Sequence, residues 1–191
     1  MKFRSFSALL LCISLLFGMV GASIAQAAEP VVTRVEPVIR DGKLVIDADI
    51  DFPLNEQLRD AASRGVSLYF TADLTITRAR WYWFDATVAD EHMTWRITYN
   101  ALTRQWRAGR DELSLPVSSL DDAMDLVRRI RGWEVADASA FEAGERYQGQ
   151  LRVRLDTSLL PRPFQVNALN SSSWSPTTSW TPFSFTLTDP S

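Results

Sequence analysis

The sequence has very little of the chemistry that most catalytic and metal sites require. It contains one cysteine and one histidine in 191 residues, so the usual nucleophile–base pairs and zinc sites lack members. Its eight glycines form no phosphate-binding loop, and no serine stands in the G-x-S-x-G pattern of a nucleophile elbow. We therefore predict a protein that is not an enzyme and that uses no cofactor.

The sequence also lacks a strong charge of either sign. Its 23 acidic and 20 basic side chains give a formal net charge of -3. Nucleic-acid-binding domains usually carry a basic patch, so no nucleic-acid partner is expected. Hydrophobic residues at 46% and charged residues at 23% are typical of a globular domain with a packed core.

The first 27 residues are typical of a secretory signal peptide. A positively charged start precedes an apolar stretch over residues 9–20 and the small residues Ala25-Gln26-Ala27. We predict cleavage after residue 27, leaving a single β-rich domain over 28–191 in the periplasm or otherwise outside the cell. A retained membrane anchor is the alternative. Cleavage removes Cys12, so no disulfide-linked partner is expected.

Polar and apolar residues alternate along much of the remaining chain. A strand sends successive side chains to opposite faces, so this alternation predicts strands with one buried face. The alternating segments are 44–52, 68–77, 93–99, 151–156 and 183–188. Asp41-Gly42 suits a hairpin turn that joins the first of them to a strand over 31–39. One-faced alternation favours antiparallel sheets, hence a β-sandwich or a partly open barrel.

Two segments have the 3.6-residue period of helices instead. Residues 54–64 form the first predicted helix, which ends at Gly65. Ser119 suits the N-cap of the second, whose basic residues extend to Arg131 before Gly132 ends it. We predict an extended, proline-fixed connection over 161–166 and a Ser/Thr-rich loop over 170–179. The expected fold is mainly β, with two short helices packed on the sandwich.

The aromatic run Arg80-Trp81-Tyr82-Trp83-Phe84 is the strongest candidate for a binding surface. Alternation prevents a strand from burying all four rings on one side. We therefore predict that Arg80, Trp81 and Trp83 contact a partner, with Trp174 as a secondary contact. The structural alternative is that a helix or a loop covers these rings. The functional alternative is that the rings form a stacking platform for a small ligand or a glycan.

Asp47, Asp49 and Asp51 are weak candidates for a metal site. Carboxylates could ligate a divalent cation, but alternate residues of a strand lie roughly 6–7 Å apart, which is loose for shared coordination. A solvated acidic face is the favoured interpretation. His92, the single histidine, follows a turn and lies on the polar side of its strand, so a surface position is expected.

Four sequence segments together resemble a bacterial family catalogued as domain of unknown function 4390. They are Arg78-Ala79-Arg80-Trp81-Tyr82-Trp83, Tyr99-Asn100-Ala101-Leu102-Thr103-Arg104-Gln105-Trp106, Trp133-Glu134-Val135 and Leu159-Leu160-Pro161-Arg162-Pro163-Phe164-Gln165-Val166-Asn167. The resemblance implies an exported envelope protein, with members encoded beside a membrane sensor kinase of the nitrogen-regulation type. It implies no catalytic residues.

Taken together, these features predict an exported, non-enzymatic module that binds a protein in the bacterial envelope or assists signalling. The partner that the family resemblance implies is a membrane sensor kinase. A small-ligand-binding or glycan-binding β-sandwich that uses surface aromatics is the alternative.

Overall fold

Two antiparallel sheets form the protein, which a computed structural model describes for residues 28–79, 85–110 and 113–187. The strands are β1 (Val31–Arg40), β2 (Lys43–Asp51), β3 (Leu68–Arg78), β4 (Ala86–Asn100), β5 (Gln105–Arg110), β6 (Leu113–Val117), β7 (Arg129–Asp137), β8 (Arg146–Leu155) and β9 (Thr181–Thr186). The small sheet has the order β1-β2-β7 and the large sheet the order β6-β5-β4-β3-β8-β9. The sheets are not closed into a barrel, so the prediction of a mainly-β sandwich is confirmed.

The inner faces of the two sheets share one hydrophobic core. Alternate residues of β2, including Leu44 and Ile46, meet alternate residues of β3, including Phe70 and Leu74. All four side chains are fully buried. A buried side chain of this size stabilises the fold by about 1.5–3 kcal/mol relative to an exposed one. The core thus holds the sheets together without a disulfide.

The β1–β2 hairpin has the predicted turn. Asp41 (φ 50°) and Gly42 (φ 74°) both adopt positive φ, the requirement of the tight turn that matches the twist of the flanking strands. The turn sets the register, in which Ile39 pairs with Leu44.

The described residues form three α-helices, one more than predicted: α1 (Glu56–Ser63), α2 (Leu120–Arg128) and α3 (Arg162–Asn170). Asn55 caps α1 by accepting a hydrogen bond from the Leu58 amide at 3.0 Å. Ser119 caps α2 as predicted, by accepting from the Asp122 amide at 3.0 Å. These caps satisfy amides that a helix start would otherwise leave unpaired.

The prediction that the second helix continues to Arg131 is wrong, because α2 ends at Arg128 and β7 begins at Arg129. Ile130 pairs with Ala48 and Trp133 pairs with Ile46 across the β2–β7 ladder, with a register shift between them. Within the shift, Gly132 has a φ of 66°. It therefore supports a β-bulge rather than a helix end.

Residues 171–179, most of the predicted Ser/Thr-rich loop, lie outside the α-helices and strands, but the prediction of an extended connection over 161–166 is also wrong. Residues 162–170 form α3 instead, and a 3₁₀ turn follows over Ser172–Trp174. Pro161 is the N-cap residue before the helix, and Pro163 lies in the first turn, where a missing amide N–H costs no hydrogen bond. The Gln165 side-chain amide donates to the Leu160 carbonyl at 2.7 Å and anchors the first turn.

Proline occurs in three of the four strands that border the sheets in the described part of the chain. Pro37 lies in β1, Pro116 in β6 and Pro182 in β9. Proline lacks the amide hydrogen that a further strand would need for pairing. None of the helices within the described residues is long and apolar enough to cross a membrane.

Candidate functional site

The outer face of the large sheet carries polar side chains from β4, β3, β8 and β9 in regular rows. Cross-strand pairing aligns His92, Asp73 and Arg152 in one row. The next row along β3 contains Thr75, Gln150 and Pro182. Neighbouring strands lie about 4.8 Å apart and successive rows about 7 Å apart. The face is therefore a flat grid of side chains whose positions the sheet fixes.

Part of this grid forms a shallow depression of about 490 Å³, which we name the ionic hollow. Its lining residues are Thr71, Asp73, Asp90, Glu91, His92, Thr94, Arg154, Asp156 and Leu159. Four of the nine are carboxylates and one is an arginine, so the hollow has an acidic excess.

Asp73 is the centre of the ionic hollow. Its Oδ2 accepts hydrogen bonds from Arg152 Nη2 at 2.7 Å and from Arg154 Nε at 2.9 Å. The Asp73 side chain is 20% exposed. Two arginines that are two residues apart on β8 thus share one carboxylate of β3, because both project from the same face.

Asp156 extends this network at the end of β8. Its Oδ2 lies 3.2 Å from Arg154 Nη1, and its Oδ1 accepts from the Ser158 hydroxyl at 2.6 Å. Burial opposes ionisation of both carboxyls. For Asp73, the hydrogen bonds and charges of Arg154 and Arg152 outweigh burial and hold the pKa below its ordinary value. For Asp156, Ser158 and Arg154 hold the pKa below its ordinary value in the same way.

These lowered pKa values limit what the hollow can do chemically. A general acid or base works best with a pKa near the working pH. Asp73 and Asp156 instead stay ionised at neutral pH, with arginines fixed beside them. Such an arrangement suits an electrostatic contact rather than proton transfer.

A second depression of about 590 Å³, which we name the neutral groove, lies along the other rows of the same face. Its lining residues are Thr75, Thr77, Asp85, Arg146, Gln148, Gly149, Gln150, Trp180, Pro182, Phe183 and Ser184. Trp180 is 41% exposed. The Arg152 guanidinium lies 4.4 Å from the centre of the indole ring. This cation–π contact links the neutral groove to the ionic hollow and fixes the ring in place.

The predicted acidic ladder lies on the small sheet and is neutralised by arginines. Asp47 accepts from Arg40 Nη2 at 2.6 Å and from the Gly132 amide at 2.7 Å. Asp49 is hydrogen-bonded to Arg131 and lies 3.4 Å from Arg34. The Gly132 amide chiefly lowers the pKa of Asp47, and Arg131 that of Asp49.

These partners occupy Asp47 and Asp49 with cations of the chain itself, and Asp51 is exposed at the end of β2. Among the residues that the structure describes, no three His, Cys, Asp or Glu side chains are grouped to hold a metal. Asp47 and Asp49 thus belong to an ion-pair cluster with arginines.

Of the predicted contact residues, Trp174 is the one that lies within the described residues, and it lines neither depression. Arg80, Trp81 and Trp83 lie outside the described residues, and Asp85, which follows that segment, lines the neutral groove. Trp174 is half-buried and packs against Phe164, with ring centres 5.2 Å apart. Trp174 thus serves the packing of α3.

Sequence reasoning missed Asp73, Arg152, Arg154 and Trp180 as members of one site. The alternation placed the first three on polar strand faces, but it did not show that β3 and β8 are neighbours. The opposite charges of the two polar sets were the available signal, since opposite charges across a strand pair stabilise the pairing. His92 is exposed, as predicted, and lines the ionic hollow.

Comparison with known proteins gives one match. A family model described as a domain of unknown function, DUF4390, matches residues 27–184. No curated protein and no solved structure matches the chain.

Proposed function

Because the chain belongs to the DUF4390 family, whose domain has no assigned function, we propose a function from the site: an exported, non-enzymatic module that binds a protein partner in the bacterial envelope. The ionic hollow is the proposed docking surface. A membrane sensor kinase, the partner that the family resemblance implies, would also be located in the envelope.

The fixed ion network of the ionic hollow carries this proposal. Asp73, Arg154 and Asp156 have side chains that are 15–31% exposed. They are partly withdrawn from water and held by one another, so they lose little freedom when a partner arrives. Preorganised charges of this kind give an interface orientation and specificity.

The acidic excess of the hollow indicates the chemistry of the partner surface. Asp90 is exposed on β4 beside the network, whereas Glu91 pairs with the buried Leu74 and so points to the other face of the sheet. Arg152 and Arg154 already neutralise part of the charge of Asp73 and Asp156. A partner that presents lysine or arginine to Asp90 would complement what remains. Exposed Leu159, at 49% exposure on the rim, supplies an apolar contact.

Export is supported by the N-terminal sequence pattern. Export has its own measurement. The intact mass of the protein recovered from the periplasmic fraction should correspond to a chain that begins at Ala28. A full-length chain found in the cytoplasmic fraction would contradict export.

Cross-linking in intact cells tests the docking surface. The chain would carry an affinity tag, and the proteins captured with it would be compared between the parent and Asp90→Lys, which reverses a rim charge outside the Asp73–Asp156 ion network. Glu145→Lys is the matched control, since Glu145 is also an exposed acidic residue but precedes β8 away from the hollow.

We expect one envelope protein whose recovery falls about tenfold in Asp90→Lys and stays unchanged in Glu145→Lys, since like-charge contacts at an interface cost several kcal/mol. The purified pair should also bind more weakly as salt is raised. Equal recovery with both variants would contradict docking at the ionic hollow.

A further inference from the structure

We propose that the neutral groove is a glycan-binding site, which takes a neutral, hydroxyl-rich sugar chain. This site is separate from the ionic hollow and does not depend on the proposed protein partner. Three features of the groove lead to this assignment: the kind of polar groups it contains, their spacing and the aromatic ring at its end.

The polar groups of the groove both donate and accept hydrogen bonds. Thr75, Thr77 and Ser184 supply hydroxyls, while Gln148 and Gln150 supply side-chain amides. Hydroxyl and amide groups each have donor and acceptor atoms. Thr75 already donates to Asp90 at 3.4 Å and Thr77 to the Gln148 carbonyl at 3.5 Å, so these two hydroxyls would accept from a sugar hydroxyl. Ser184 and the two glutamine amides can pair with a sugar hydroxyl in either direction. A groove built for an anion or a cation would instead carry an excess of one charge.

The sheet sets these groups out in two rows that a chain of sugar rings can follow. Thr75 pairs with Gln150, and Thr77 pairs with Gln148. Gln148 in turn pairs with Ser184 of β9. The two rows lie about 7 Å apart along the strands. Because the side chains stand on a rigid ladder, the polar groups hold fixed positions without a ligand.

Trp180 supplies the apolar surface that a sugar ring needs. A pyranose ring has apolar C–H faces besides its hydroxyls, and an indole offers a flat, amphipathic surface for such a face. Arg152 lies over the indole at 4.4 Å, yet 41% of the residue stays exposed. The arginine thus orients the ring while the rest of the indole borders the groove.

Charge separates the groove from the neighbouring hollow. Among its eleven lining residues, Asp85 and Arg146 are the charged ones, and they are of opposite sign. Their formal charges cancel, so the described lining has no net formal charge, and the nearby Arg152 guanidinium is stacked on Trp180. Its volume of about 590 Å³ falls within the range of small-molecule sites, about 300–1,000 Å³.

Ligand-observed saturation-transfer NMR, followed by titration of tryptophan fluorescence, tests this site. The probes are chitotetraose, maltotetraose and the uncharged peptide acetyl-Ala-Gln-Ser-Ala-amide, each with the chain that begins at Ala28. We expect saturation transfer to at least one of the two sugars. Trp180→Ala should weaken that binding about tenfold, and Trp180→Phe should restore most of it, since a ring stacks in both.

Gln150→Ala keeps the test informative if Trp180→Ala disturbs the fold. Gln150 is exposed on β8, and Gln105 is an equally exposed glutamine on β5, so Gln105→Ala is the matched control. Gln150→Ala should weaken sugar binding about fivefold, the effect of one hydrogen bond, and Gln105→Ala should leave it unchanged. Thermal unfolding of each variant confirms that it is folded.

Three results would overturn the assignment: no saturation transfer to either sugar, binding of the peptide alone, or sugar binding that neither Trp180→Ala nor Gln150→Ala weakens. None of these results bears on Asp90→Lys and the partner, so failure of this site and failure of the proposed function are distinguishable.

Discussion

The two sheets carry aspartate–arginine clusters of the same composition in different settings. In the small sheet, Asp47 and Asp49 are held by arginines that are 48–55% exposed. In the large sheet, Asp73 is held by Arg152 and Arg154, which are both 31% exposed. The small-sheet cluster joins three strands and a bulge, whereas the large-sheet cluster forms the floor of an open hollow.

The difference shows that residue type does not reveal what an ion pair does. Asp47 receives a backbone amide, that of Gly132, as well as an arginine, and so fixes the path of β7. In the described part of the chain, the carboxylate of Asp73 accepts hydrogen bonds from side chains and from no backbone amide. We therefore expect the small-sheet cluster to serve the fold and the large-sheet cluster to present charge.

Replacing Asp73 gives the largest expected effect on stability. Asp73→Ala leaves Arg152 and Arg154 partly buried without the carboxylate they share, which should lower the free energy of unfolding by about 2–3 kcal/mol. Urea denaturation measures this change. Asp73→Asn keeps the shape and one acceptor, and should lose less. A loss below about 0.5 kcal/mol, the scale of an exposed pair, would show that water screens the hollow fully.

Lowering the pH removes the interactions of Asp73 with the arginines reversibly, because it protonates the carboxylate. The pKa of Asp73 is lowered in the folded protein, so its stabilisation is present above the ordinary aspartate pKa, about 3.9. It is lost as the pH falls through the lower, folded value. The stability of the parent should therefore fall more steeply than that of Asp73→Asn below about pH 4. If the stabilities of the parent and of Asp73→Asn fell in parallel from pH 7 to pH 2.5, the Asp73 carboxylate would form no net stabilising interaction on folding.

Asp47→Ala should have the next largest effect. It removes the acceptor of the Gly132 amide and of Arg40, and should cost about 1–2 kcal/mol, as expected for lost hydrogen bonds at a partly buried site. Hydrogen exchange of the Gly132 amide provides a local readout and should accelerate. Asp51→Ala, at an exposed position of the same strand, is the control. An unchanged exchange rate of the Gly132 amide would show that Asp47 does not stabilise the bulge.

Asp49→Asn should have the smallest effect. Its partners Arg34 and Arg131 are about half exposed, and exposed pairs contribute about 0.2–1 kcal/mol. The effect should vanish in 1 M salt, where the screening length is about 3 Å, while that of Asp73→Ala should persist. If salt abolished both effects equally, the distinction between the two clusters would fail.

Much of the fold could be predicted from periodicity, because alternation reports directly on which face of a strand is buried. It could not predict where α2 ends, since pairing of Ile130 with Ala48 is a long-range contact that overrides the local helical pattern. It also could not predict α3. There two prolines suggested an extended chain, although proline is well tolerated in the first turn of a helix.

The candidate site was less predictable than the fold. The pairing of β3 with β8 joins residues about eighty positions apart, such as Asp73 and Arg152. Neither strand alone shows the other's charges. Trp180 carried no sequence signal that distinguished it from the other tryptophans, because its exposure depends on its place beside Arg152 at the sheet border.

The prolines of the border strands have a consequence for the protein at high concentration. A second copy that added a strand beside β1, β6 or β9 would meet Pro37, Pro116 or Pro182 and lose one backbone hydrogen bond of the new ladder, because proline has no amide hydrogen to donate. Templated fibril growth needs every rung of that ladder. These three borders thus act as terminators of polymerisation, and the hairpin, β6 and the C-terminal strand can stay at the surface of a crowded solution without seeding aggregates.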